Sequence, residues 1–229
     1  MRQFNAIVRR ETGAFFHSNL APILLGGFLV LVGLLFTKLM MGYSDLSTNA
    51  LQSARSGSYI NLAETIFRPM VSTMLLLVVL LMPSLTMRLF SPEYRSGRFN
   101  LLASWPVPDH IWVLGKWWSA LLSASVMLLT TMVLFVSVWF FGQPEPGPLF
   151  TVFLGLVLLA SSLVAFGTLS SVAFTHQILA YFVALIFALL LFMVQLLERF
   201  LPGILGQLTT ELSLMVHFER FSRGVLDSR

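Results

Sequence analysis

Residues 20–41 read LAPILLGGFLVLVGLLFTKLMM, with a single charged side chain, Lys38. A bilayer core about 30 Å thick is crossed by about 20 helical residues, so this run alone is long enough to span one. Pro22 falls in its first turn, where a missing amide hydrogen is tolerated. Working outward, four further runs of the same kind cover 69–87, 111–141, 149–174 and 178–197. The expected fold is all-α: a polytopic membrane helix bundle with five spans in one domain, 1–229.

Composition agrees. Hydrophobic residues make up 57% of the 229-residue chain and charged residues 10%; soluble domains average about 45–50% and about 25%. Mean hydropathy is +0.85. So few charges would leave wide apolar patches in water, which excludes a soluble enzyme and intrinsic disorder. There is no cysteine, hence no disulfide, thiolate metal site or cysteine nucleophile.

The segment before the first run, 1–18, places Phe4, Ile7, Val8, Glu11 and Phe15 at helical spacing among Arg2, Arg9 and Arg10. This predicts an amphipathic interface helix on the membrane face; the alternative is a helical extension of the first span. The first apolar run is too long for a signal-peptide core and no small-residue cleavage site follows it. The segment 43–61, rich in Ser and Asn, is expected to be an exposed connection. The Pro-rich 143–148 reads as a stiff turn.

Basic residues set direction. Arg2, Arg9, Arg10, Arg88, Arg95, Arg98 and Lys116 would lie on one side. Lys38, Arg55 and Arg68 would lie on the other, so the amino terminus is expected in the cytoplasm. The arginines of the tail, Arg199, Arg220, Arg223 and Arg229, fall outside on this count and oppose it; the early loops carry more weight.

The span centres hold no Asp, Glu or Arg. Ion-driven carriers ordinarily place an ionisable group there, so a proton- or sodium-coupled carrier is disfavoured. The third and fourth runs do carry Ser123, Ser125, Thr130, Thr131, Ser161, Ser162, Thr168, Ser170 and Ser171, with Gly167. Helix packing is the main reading of these, and a polar substrate path the other. No H-E-x-x-H or G-x-S-x-G is present. Gly115-Lys116 lacks the earlier glycine and the Ser/Thr of a P-loop. His17, His110, His176 and His217 have no ligand spacing. No catalytic, cofactor or metal site is expected in the chain, nor any contact with nucleic acid.

The loop 88–110 is the most informative segment. Ser91 is placed to cap a short helix with Pro92 at its first position and Glu93 in its first turn. Gly97 interrupts it. Phe99, Leu101, Leu102 and Trp105 are apolar residues in a segment that should be wet, and Asp109 is placed to cap the third span. Trp112, Trp117 and Trp118 suit a lipid–water boundary. Charge beside exposed apolar anchors suggests a docking surface; the alternative is an ordinary membrane-hugging connection.

The sequence Glu93-Tyr94-Arg95-Ser96-Gly97, followed by Leu101-Leu102, Trp105-Pro106-Val107 and Gly115-Lys116, resembles the type-2 ABC exporter permeases. The tail, with Leu212-Ser213-Leu214-Met215, Phe218, Phe221, Arg223-Gly224-Val225 and Asp227, is similar to the end of the gliding-motility-type permeases. The opening helix with Arg10-Glu11 and Phe15-Phe16 fits the same family. The resemblance implies a transmembrane subunit of an ATP-driven exporter in a bacterial inner membrane. Two permease copies or paralogues would be served by a separate ABC ATPase, which holds the ATP and Mg. It also implies that 88–110 is the coupling helix region, with Glu93, Arg95 and Arg98 as charged ATPase contacts. Phe99, Leu101 and Leu102 would be the apolar anchors, and Tyr94, Gly97 and Pro106 part of the same motif. Two departures stand out. Arg98 and Asn100 replace the family's Thr and acid, and the family has six spans where five are visible. Residues 198–229 would then be an extracytoplasmic segment leading to a sixth span that this sequence lacks, as in a truncated reading frame. Gly224 in it reads as a helix C-cap or as part of an outer gate. A non-transporting membrane scaffold is the rival reading, a secondary carrier the weaker one.

Overall fold

The computed structural model describes residues 2–52, 68–97, 107–142 and 146–198. Among these residues seven helices follow in order: α1 (Arg2–Phe16), α2 (Leu20–Gln52), α3 (Arg68–Thr86), α4 (Ser91–Arg95), α5 (Asp109–Gly142), α6 (Pro146–Ala173) and α7 (Gln177–Glu198). Five of them, α2, α3, α5, α6 and α7, are long and apolar enough to cross a membrane. The fold is all-α, with no strand among the described residues, and is compatible with an integral membrane protein.

α3 is the central helix and packs against α2, α5, α6 and α7. Its Met70, Met74, Val78 and Met82 are fully buried and meet Phe28 of α2, Met127 of α5 and Leu156 of α6 in one core. Methionine suits such a site because its unbranched thioether fills irregular gaps. Around this core, apolar side chains face outward: Ile23, Val30 and Leu34 of α2, and Phe182, Ile186 and Leu190 of α7. That inversion costs nothing in hydrocarbon, where every helical backbone group is already bonded within its own helix.

Small residues set the closest crossings. A Cβ at Gly167 of α6 would collide with Thr86 Oγ1 and lie 2.6 Å from Thr86 Cβ. A Cβ at Gly115 of α5 would lie 2.8 Å from Ile7 Cγ2. The hydroxyls of the spans are largely spent locally. Ser123 and Ser125 donate to carbonyls four residues back, at 2.9 and 2.8 Å. Thr130, Thr131, Ser162 and Thr168 donate three residues back.

α1 is a helix of its own. It ends at Phe16, where Ser18 Oγ and the Ser18 amide both donate to Phe15 O, at 2.6 and 3.0 Å. Its apolar face is turned onto α5: Ile7 is buried against Gly115, while Phe4, Val8 and Phe15 are half-buried. Arg2 and Arg9 face outward, while Arg10 is part-exposed and leans toward Glu11 and Trp112.

Four local expectations are corrected. α6 begins at Pro146, so 146–148 of the expected turn form the first turn of a helix, where proline is tolerated. α2 runs to Gln52, through the first half of the segment expected to be an exposed connection. Beyond Gly42 that half holds no Gly or Pro to stop a helix, and Thr48 Oγ1 bonds Asp45 O at 2.9 Å. Ser91 does not cap α4. The N-cap position is Phe90, which makes no side-chain cap. Asp109 lies inside the first turn of α5 rather than before it, where its carboxylate still favours the helix dipole.

Candidate functional site

The ends of α3 and α6 and the beginnings of α2, α5 and α7 meet at one end of the bundle, and α4 lies across it. Its N-terminus is held from α6. The amides of Phe90 and Ser91 donate to Ser171 Oγ at 3.0 and 3.3 Å, and Ser171 Oγ donates to Met87 O at 3.3 Å. Ser91 Oγ in turn donates to Phe174 O at 2.8 Å, just past the end of α6. A helix start leaves amides without intrahelical partners; here a hydroxyl from another helix accepts them.

Four charges secure α4 on its other side. Lys116, in the third turn of α5, is only 1% exposed. Its Nζ lies 2.7 Å from Glu93 Oε1 and 3.9 Å from Glu11 Oε1. It also donates to Leu89 O and sits 4.7 Å from the centre of the Phe90 ring. Arg10 Nη2 is 2.5 Å from Glu11 Oε1 and 3.8 Å from Glu93 Oε1, and its guanidinium lies over the Trp112 ring at 5.3 Å. Two cations and two carboxylates thus balance across α1, α4 and α5. A buried ammonium is tolerated only where it is paired and hydrogen-bonded, and this one has a carboxylate, a carbonyl and a ring face.

The neighbouring motif residues separate by environment. Glu93 is turned inward onto Lys116. Tyr94 is half-buried and packs on the core. Arg95 and Ser96 are exposed. Gly97 has φ of 68°, the left-handed conformation that ends a helix with least strain in glycine, and its amide donates to Tyr94 O at 3.2 Å. Arg98, Phe99, Leu101, Leu102 and Pro106 lie outside the described residues, as do Phe221, Arg223, Gly224 and Asp227 of the tail.

Glu93, Glu11 and the Gly115-Lys116 pair, singled out separately in the sequence, are brought into one contact. Gly115 admits Ile7 of α1, and Lys116 binds the acids of α1 and α4. Sequence reasoning gave Lys116 an orienting charge and a place in the Gly115-Lys116 motif but no acidic partner, and it gave Arg10 and Ser171 no contact with α4. The available signal was a lone lysine carried into an apolar helix, with Trp117 and Trp118 after it. Among the described residues no group of three or more His, Asp or Glu could hold a metal ion. The chain matches no protein-family model, no curated protein and no solved structure.

Proposed function

We propose that the chain is the transmembrane permease subunit of an ATP-driven exporter, with α4 as the element that receives motion from a separate ATPase. The observation that carries this reading is how α4 is held. It is a five-residue helix, too short to persist alone, yet it is tied to α1 and α5 by the four-charge cluster and to α6 by Ser171. A push on α4 is therefore delivered to two apolar helices and to α1 together. Coupling needs such a stiff element, because it can pass on only differential contacts made in two states. The resemblance of 93–97, 101–102 and 115–116 to type-2 ABC exporter permeases supports the same role.

On this reading α1, α4 and the amino terminus lie in the cytoplasm of a bacterial cell, beneath the inner membrane. The ATPase binds and hydrolyses ATP. A second permease copy or paralogue completes the path. Purification of the tagged chain from its native host in mild detergent is expected to recover a P-loop ATPase in stoichiometric amount. A well-folded chain that recovers none would sink the proposal and favour a non-transporting scaffold.

A further inference from the structure

We propose that α4 engages its partner through Arg95 and not through Glu93, so that the partner surface receiving it is acidic. The inference rests on the exporter reading and adds the chemistry of the contact. Residues two apart on a helix point about 200° apart. Lys116 holds Glu93 at 2.7 Å on the inner side, which sends Arg95 to the outer side, where it is exposed. Glu11 of α1 is likewise drawn in, by Arg10 and Lys116, and Asp109 of α5 is the one exposed acid among the described residues at this end. The acids of α1 and α4 are thus turned inward, while Arg2, Arg9, Arg88 and Arg95 are exposed at the same end.

The direction in which Arg95 looks favours a protein over the lipid layer. Ser91 is bonded to Ser171 and Phe174 at the very end of α6, so α4 covers the end of the bundle rather than its lipid-facing flank. Gly97, with φ of 68°, closes the C-terminal end of α4. A guanidinium presented on a short, fixed helix suits bidentate pairing with a carboxylate, and facing charges of opposite sign fix register and exclude wrong partners.

The test uses the full-length chain, tagged in its native host, with the ATPase identified by mass spectrometry. Arg95→Glu is expected to lower ATPase recovery by about tenfold or more, Arg95→Gln by less, and Arg95→Lys least. Recovery with Arg95→Glu should return when a partner Asp or Glu cross-linked near this position is changed to Arg. Lys38→Gln, the loss of an exposed charge on α2 far from α4, should leave recovery within about twofold of the parent chain. An ATPase recovered equally by Arg95→Glu would overturn the acidic-contact proposal while leaving the exporter reading intact. No ATPase from the parent chain would overturn both. A change confined to retention of phosphatidylglycerol, with the ATPase unaffected, would assign Arg95 to the headgroup layer and equally overturn it. Size-exclusion profiles of each variant separate lost contact from lost fold, and the exposed Arg95→Gln change is the safeguard.

Discussion

Lys116 illustrates how much one side chain's surroundings alter its meaning. On the surface a lysine pair with glutamate contributes about 0–1 kcal/mol. At 1% exposure the same ammonium has lost its water, and Glu93, Leu89 O and the Phe90 ring replace it. Removing only one member should then be worse than removing both. Lys116→Met leaves Glu93 and Glu11 to share Arg10, and is expected to destabilise the protein by about 3 kcal/mol. The double change Lys116→Met with Glu93→Gln should recover most of that. Thermal unfolding of the detergent-solubilised variants measures it; equal loss in single and double variants would show that the pair is not coupled. Legibility at this scale was partial. Glu93 stood out as a motif acid, but its inward orientation depends on a lysine 23 positions later, and no spacing rule links the two.

At the scale of elements, the crossing of α3 and α6 is set by what Gly167 lacks. Its missing side chain leaves room for Thr86, and Pro83 one turn earlier removes an amide from the same stretch of α3. Gly167→Ala is expected to destabilise by about 1–3 kcal/mol through overpacking. Thr86→Ala should not rescue it, because Thr86 Cβ itself would lie 2.6 Å from the added carbon; the helices have to part. A Gly167→Ala variant with an unchanged melting temperature would contradict so tight a crossing. The sequence showed Gly167 among the small residues of its span, without naming its neighbour. The end of α2 was misjudged for a related reason: Ser and Asn between 43 and 52 suggest a loop, but nothing there breaks a helix that α2 has already nucleated, and extension is easier than nucleation.

Across the whole molecule, the five long helices place α1 and α4 together at one end and the 43–52 extension of α2 at the other. The absence of cysteine makes the arrangement simple to check. Single changes at exposed positions, Arg9→Cys, Ser96→Cys and Thr48→Cys, can be probed with a membrane-impermeant maleimide. Arg9→Cys and Ser96→Cys are expected to label from one side and Thr48→Cys from the other. With the amino terminus in the cytoplasm, as proposed, only Thr48→Cys labels in intact spheroplasts. Labelling of Arg9→Cys and Ser96→Cys from opposite sides would break the five-span topology.

The sequence by itself determined the solvent and the number of long helices. Transfer into hydrocarbon sums over neighbouring residues, so runs such as 20–41 and 178–197 are recognisable from their own composition. It also showed an amphipathic opening helix, since periodicity is local too. The tertiary structure alone decided what that helix covers, which hydroxyl caps α4 and which acid holds Lys116. Glu11, Glu93, Lys116 and Ser171 are far apart along the chain, and their pairing is fixed only once the crossings at Gly115 and Gly167 bring α1, α3, α5 and α6 to one end. There burial makes an unpaired charge too unfavourable to persist, so packing selects the partners.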